Sequence, residues 1–361
     1  NMVSKTGFDT KGRLLRGSLG LSYRPVDERM TGLPYNYAVS YSEVFGGKLA
    51  VAVNFGHRTL FTPQDTVAQT NQALANGVTG PAYTNQVQYT DERLVTSRWG
   101  GGARLDYRLS EATRFYLSST VNRLTDHDTD RVANFTTPQT LATLDAAGNP
   151  TGNGGILPGF TNDFTTVRAV PNSVLNVSAD NAYKDAKTLY HQLGGNHKFT
   201  SLELDWNLYK SDSKTNYSGQ RNFQLTARGI GYTVDRRKRS DFPIVTQVAG
   251  PAITDLASFT DNRYRIDRRA GWDGYHGGSL NLKKNLPTPL PAYVKAGVRV
   301  REQSRVLEAT QWSGTYVGPD GVMGVKPATE RNDDNLAQFG LNERGQLHTD
   351  EVRFPGVPVP A

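Results

Sequence analysis

The sequence has no cysteine among its 361 residues. This absence excludes disulfide bonds, thiol nucleophiles and zinc–thiolate sites together. Hydrophobic residues make up only 37% of the chain, below the ~45–50% that is usual for soluble globular domains. The longest wholly aliphatic run is Leu49–Val53, whereas a transmembrane helix needs about 18 or more apolar residues. The composition therefore excludes a helical membrane protein and a disulfide-stapled domain.

Alternation of apolar and polar residues is the dominant pattern in what remains. Nine runs between Arg13 and Arg305 carry apolar residues at every second position; in the run 202–208, leucine and tryptophan alternate with glutamate, aspartate and asparagine. Side chains alternate faces along a β-strand, so each run has one apolar and one polar face. Helical spacing fits none of these runs well. The pattern predicts nine β-strands.

The links between these strands alternate in length. Gly46–Gly47 and Ser110–Thr113 are tight, whereas Phe61–Asp91, Asp126–Ala186 and Tyr217–Asp267 are long. In an antiparallel meander this places all long loops at one end, as outer-membrane barrels do. The sequence therefore predicts an all-β fold, an antiparallel up-and-down transmembrane β-barrel in the cell outer membrane. A soluble β-sandwich adhesin is the alternative, because half-buried strands of a sandwich also alternate.

The polar face of the predicted strands carries many charges. Charged groups cannot sit unpaired in a dry core, so this face indicates a wide hydrated lumen or a lumen filled by a polar plug. The residues expected to face the lumen or plug are Arg16, Arg98, Arg104, Asp106, Glu203, Asp205, Lys295 and Arg299.

The first residues carry a family resemblance. Asn1, Ser4 and Lys5 fit an N-x-x-[ST]-K segment just before the first strand. This segment resembles the last plug strand of TonB-dependent outer-membrane receptors, and with the strand meander the resemblance extends over essentially the whole chain. It implies a 22-stranded plugged barrel that actively imports a scarce nutrient such as a ferric siderophore. It also implies the TonB complex as partner, contacted through a missing N-terminal region.

The strand count then predicts that the chain is part of a larger barrel. Each strand with its link uses about 33 residues, so 22 strands need on the order of 700. We expect residues 1–10 to be the last plug strand and linker, and 11–305 to be barrel strands with long external loops. We expect 306–361 to be a further long external loop.

One acidic segment has the spacing of a calcium loop. Asp126, Asp128 and Asp130 form a D-x-D-x-D pattern. An EF-hand loop also needs glycine at its sixth position and glutamate at its twelfth, where this chain has Arg131 and Thr137. The three aspartates are candidate metal ligands, and a solvated loop edge is the alternative.

Two further groups lie on predicted external loops and are candidate ligand-binding residues. Basic residues could contact lipopolysaccharide phosphates or an anionic ligand, and aromatic residues could stack on a ligand. A salt-bridged loop base and loop-on-loop packing are the alternatives. The members are Arg236, Arg237, Arg239, Arg263 and Arg265, and Tyr83, Tyr89, Trp312 and Tyr316.

No local motif indicates catalysis. The sequence contains no G-x-S-x-G, H-E-x-x-H or Walker pattern, so we expect no enzymatic activity and no cofactor. The predicted function is TonB-dependent uptake of a small-molecule ligand, with outer-membrane lipid and lipopolysaccharide as further partners and no nucleic acid. A passive porin and an outer-membrane barrel enzyme are the alternatives.

Overall fold

The computed structural model describes residues 8, 12–22, 34–72, 80–324 and 333–335. The predicted plug strand with Asn1, Ser4 and Lys5, and most of the expected final loop, lie outside these residues. The strands are β1 (Leu14–Leu21), β2 (Tyr35–Phe45), β3 (Leu49–Gln72), β4 (Tyr83–Arg108), β5 (Thr113–Thr136), β6 (Thr143–Leu144), β7 (Pro150–Thr151), β8 (Phe164–Val167), β9 (Val174–Lys198), β10 (Leu202–Arg228), β11 (Gly231–Asp235), β12 (Ile244–Ala249), β13 (Phe259–Leu286) and β14 (Ala292–Tyr316). Among the described residues, no helix has the length and apolarity needed to cross a membrane.

Nine strands form one antiparallel sheet in the order β1-β2-β3-β4-β5-β9-β10-β13-β14. Strand neighbours in the sheet follow one another along the chain, which confirms the predicted all-β, up-and-down fold. All four tight links lie at one end of the sheet. At the β2–β3 link, Gly46 and Gly47 both have positive φ angles, of 54° and 67°, which glycine adopts without strain.

The long strands extend well beyond a membrane. Strands β3 to β5 and β9, β10, β13 and β14 have 24 to 28 residues, whereas about 9–11 residues span a bilayer. Much of what the sequence predicted as the loops Phe61–Asp91, Asp126–Ala186 and Tyr217–Asp267 is therefore strand. The same correction applies to 306–316, since β14 continues to Tyr316.

The sheet has an apolar outer face near the tight turns. Leu117, Leu193, Leu208 and Val298 are between 44% and 59% exposed, and they occupy alternate positions of neighbouring strands. A continuous exposed belt of this kind is the surface that a barrel wall presents to lipid. The chain is therefore wall of an outer-membrane β-barrel, which confirms the predicted localisation.

At the opposite, extracellular end the same outer face is covered. The long links fold into a small sheet, β12-β11-β8, whose side chains pack against β4, β5, β9 and β10. Phe135 and Tyr232 contact each other with ring centroids 5.2 Å apart, and both are fully buried. Tyr89 is also buried and donates a hydrogen bond from its hydroxyl to the carbonyl of Pro243 at 2.6 Å. This extracellular core is a protein-to-protein contact, unlike the lipid-facing belt.

Candidate functional site: the inner face of the sheet

The inner face of the sheet is polar at membrane level. Arg104 forms an ion pair with the buried Asp106, with Nε and Oδ2 2.8 Å apart. Across β10 and β13, Lys283 pairs with Glu203 at 3.1 Å. Asn281 donates to Asp205 at 2.9 Å. The last two contacts link β10 to β13, whereas the Arg104–Asp106 pair lies within β4.

A groove on this face collects tyrosines and cations. It has a volume of about 610 Å³ and is lined by residues of β9, β10, β13 and β14. The polar lining residues are Tyr190, Gln192, Asn207, Tyr209, Tyr275, Ser279, Asn281, Lys295 and Arg299. The Arg299 guanidinium lies 5.8 Å from the centre of the Tyr209 ring. This geometry offers hydrogen-bond donors, ring faces and positive charge in one place.

Glycines let the tyrosine rings lie flat against the wall. A Cβ atom at Gly194 would collide with the Tyr116 ring and lie 2.7 Å from the Trp206 carbonyl oxygen. At Gly277, a Cβ atom would lie 2.9 Å from the Tyr209 hydroxyl. Because the tyrosine rings lie over these glycines, the rings do not project into the lumen. Arg104 in turn stacks over Tyr116 at 4.6 Å.

The extracellular end of the inner face carries a carboxylate group: Glu92 on β4 with Asp128 and Asp130 on β5. Oxygen atoms of the three residues lie within 4.8 Å of one another. Asp130 faces Glu92 directly across the β4–β5 pair. Asp128 lies roughly 50 Å along β5 from Thr113 at ~3.3 Å per residue, so with a tilt of ~45° the group lies above an apolar band ~25 Å tall.

Crowding changes the ionisation of this carboxylate group. Burial, followed by the neighbouring Asp128 carboxylate, raises the pKa of Asp130 to about 7. Burial is also the largest cause that raises the pKa of Asp128, and of Glu92. One proton shared between Asp128 and Asp130 relieves the repulsion of like charges. The group can thus transfer a proton near neutral pH, or bind a cation.

The predicted metal ligands are only partly brought together. Asp128 and Asp130 share the carboxylate group, but Asp126 instead accepts a hydrogen bond from the Thr96 hydroxyl at 2.7 Å. Glu92 takes the third position, which sequence spacing could not show because it lies on another strand. All four residues are in strands and not in a calcium-type loop.

The predicted aromatic ligand residues have other roles. Tyr83 and Tyr89 lie on β4, are only 6% and 1% exposed, and belong to the extracellular core. Stacking of either ring on a ligand is therefore wrong. Trp312 and Tyr316 lie on β14, and Trp312 makes an edge contact with Tyr264 at 5.6 Å.

The predicted basic ligand residues are held by nearby carboxylates or carbonyls. Arg237 pairs with Asp235 at 2.5 Å and Arg239 with Asp241 at 2.9 Å. Arg236 donates to the Asn162 carbonyl at 2.8 Å. In the first part of β13, up to Asp267, which the sequence had predicted as loop, Arg263 pairs with Asp261 and Arg265 with Asp267. These contacts match the alternative interpretation, a salt-bridged loop base, and binding of lipopolysaccharide or of a ligand stays a prediction.

The residues predicted to line the lumen lie on the inner face. Arg16 borders a groove across β1 to β5 and Arg98 a second one. The same face carries Arg104, Asp106, Glu203, Asp205, Lys295 and Arg299. Their contact with a plug stays a prediction.

Comparison with known proteins finds little. No protein-family model and no curated protein matches the chain. Among solved structures, it is similar to the outer membrane protease OmpT of Escherichia coli, at 10% identity and a TM-score of 0.23. The similarity covers 79% of this chain and 84% of that chain. Both values are too low for this likeness to carry an argument about function.

Two functional predictions are nevertheless corrected. Neither TonB-dependent uptake nor the expectation of no enzymatic activity is kept: no protein-family model matches the chain, and a solved structure that it is similar to is an outer membrane protease. The five-residue segment that began the receptor resemblance lies outside the described residues. The function is therefore argued from geometry.

Proposed function

We propose that the chain forms part of the wall of a passive outer-membrane pore for small polar solutes. The observation that carries this proposal is the contrast between the two faces of the sheet at membrane level. One face exposes leucines and valines, and the other carries arginines, lysines and carboxylates.

The inner face requires water. Isolated charges are costly to remove from water, and Lys295 and Arg299 have no carboxylate partner within the part of the chain that the structure describes. The tyrosine side chains that lie flat over Gly194 and Gly277 leave the space in front of the inner face open. A polar surface that crosses the membrane beside a water column is a route for solutes that lipid excludes.

Conductance of the full-length protein in planar lipid bilayers tests the proposal. We expect stable single-channel steps in symmetric potassium chloride, without any energy source. Protein unfolded by heating in detergent is the control for conductance caused by lipid defects. A correctly folded protein, identified by heat-modifiable gel migration, that gives no steps contradicts the proposal.

A second candidate function is that of an outer-membrane barrel enzyme. It is favoured by the adjacent carboxyl groups of Asp128 and Asp130 at the extracellular end of the inner face. Such a pair can act as acid and base on a bound water molecule. Peptide and lipid ester hydrolysis by the wild type should be lost in Asp130→Asn and kept in Asp145→Asn, which changes an exposed turn. No turnover by folded wild-type protein contradicts this candidate.

A further inference from the structure

The inner face of β14 is unusually cationic. Counting alternate residues from Lys295, its inner positions hold Lys295, Gly297, Arg299, Arg301, Gln303 and Arg305. No acidic residue stands among them. The facing strand β13 supplies one carboxylate at this level, Asp273, and it pairs with Arg305.

The other three cations lie beside tyrosine rings or another lysine. Arg299 faces the Tyr209 ring and Arg301 the Tyr275 ring, each at 5.8 Å. Arg301 also donates to the Gln303 side chain at 3.1 Å. Lys295 faces Lys283 across the β13–β14 pair, and Lys283 is paired with Glu203. Among the described residues, none of these three side chains therefore forms a direct ion pair with a carboxylate, and Arg301 is linked to Asp273 only through the Gln303 side chain.

The surroundings add hydrogen-bonding groups. Tyr190, Gln192 and Asn207 line the same groove of about 610 Å³ as Lys295 and Arg299. A volume of this size admits a small organic solute with its hydration water. Arginine and lysine bind carboxylate or phosphate groups by charge-assisted hydrogen bonds.

We infer that Lys295, Arg299 and Arg301 form an anion-binding site that makes the pore selective for small solutes with carboxylate or phosphate groups. This inference rests on the proposed pore and names its solute class. Arginine and lysine side chains that line a pore favour anions, because they attract an anion passing through the lumen and repel a cation.

Two measurements on the full-length protein test the site. The first is the reversal potential across a tenfold potassium chloride gradient. We expect chloride to permeate better than potassium in the wild type, and the preference to fall toward unity in the double variant Lys295→Gln/Arg299→Gln. The second is calorimetric binding of citrate in detergent, which should weaken at least about tenfold in the same variant, because charge-assisted hydrogen bonds are lost.

Arg268→Gln is the matched control. Arg268 lies on β13 between inner-facing positions, so its exposed side chain belongs to the opposite face of the sheet. The Arg268→Gln substitution removes a positive charge from that opposite face, so the reversal potential and the citrate affinity should both stay as in the wild type. Heat-modifiable migration checks that each variant is folded.

The outcomes separate the site from the pore. Conductance that prefers potassium, or has no preference, overturns the anion site and leaves the pore. No conductance, with citrate binding that the double variant loses, overturns the pore and supports the site. Absent citrate binding, or binding equal in wild type and double variant, overturns the site.

Discussion

Strand β5 passes through two different surroundings on one face. Leu117, near its tight-turn end, is 47% exposed, and Phe135, near its extracellular end, is fully buried. Both are odd-numbered residues of one regular strand, so both point outward. The small β12-β11-β8 sheet covers Phe135, whereas lipid covers Leu117. An outward apolar side chain thus serves lipid contact in one half of the sheet and protein packing in the other.

The inner face differs between the same two halves. At membrane level it is rich in cations, such as Arg299 and Lys295, and at the extracellular end it carries the Glu92–Asp128–Asp130 carboxylate group. The sign of the charge therefore differs between these two regions of the inner face, whereas both regions are polar. The comparison predicts that the outer face decides assembly and that the inner face decides which solutes are accepted.

The largest effect is expected in the extracellular core. Phe135→Ala removes a fully buried ring that contacts Tyr232, and such substitutions cost about 3–5 kcal/mol. We expect the small sheet to detach while the membrane half stays folded. Limited proteolysis of the 229–258 segment, with heat-modifiable migration as the assembly readout, measures this. Leu117→Ala, which leaves the extracellular core untouched, should not increase cleavage there, and equal cleavage in both variants would contradict the two-region comparison.

The next effect concerns the lipid-facing belt. Leu117→Arg places a charge against hydrocarbon, which costs about 2–4 kcal/mol near the bilayer midplane. Refolding yield in lipid vesicles against urea concentration gives the loss of stability. Ser118→Arg is the control, because Ser118 is the next residue of β5 and faces the lumen. If Ser118→Arg destabilises as much as Leu117→Arg, the assignment of the two faces is wrong.

A smaller effect is expected where a ring covers glycine. Gly194→Ala brings a Cβ atom into the Tyr116 ring and to 2.7 Å from the Trp206 carbonyl oxygen. Such overpacking costs about 1–3 kcal/mol, and the displaced ring should also reduce single-channel conductance. Gly17→Ala, which has open space around its Cβ position, is the control. Unchanged conductance in Gly194→Ala would mean that Tyr116 does not border the pore.

The sequence was sufficient for the membrane half of the fold. Alternation there follows from the contrast of lipid and water, and it located all nine strands of the large sheet. The alternation of apolar residues also continues above the membrane, for example at Val87 and Tyr89 on β4 and at Ala133 and Phe135 on β5. Those residues lie in the links Phe61–Asp91 and Asp126–Ala186, which the sequence analysis predicted as loops. The covering small sheet comes from two long links that are distant in sequence, so local patterns could not reveal it.

The candidate site shows the same limit. The D-x-D-x-D pattern grouped Asp128 with Asp130 as candidate metal ligands, but their neighbour Glu92 depends on the β4–β5 register. For the arginines a local signal did exist. Asp235 precedes Arg237 by two residues, and Arg265 precedes Asp267 by two. In an extended chain this spacing puts opposite charges on one side, which predicts ion pairs in place of ligand contacts.

The smallest effect comes from Asp130, whose pKa is raised to about 7, first by burial and then by Asp128. A raised pKa means that its stabilising contribution is full below about pH 4 and is lost as the pH rises through about 7. At pH 8, Asp130→Asn should therefore have a free energy of unfolding about 1–2 kcal/mol higher than the wild type after solvent screening, seen as a higher unfolding temperature. At pH 4 the variant should show no gain. Asp145 is the control, because hydrogen bonds from Asn149 lower its pKa. Asp145→Asn should show no gain at pH 8. A pH-independent gain in Asp130→Asn would contradict the shared proton.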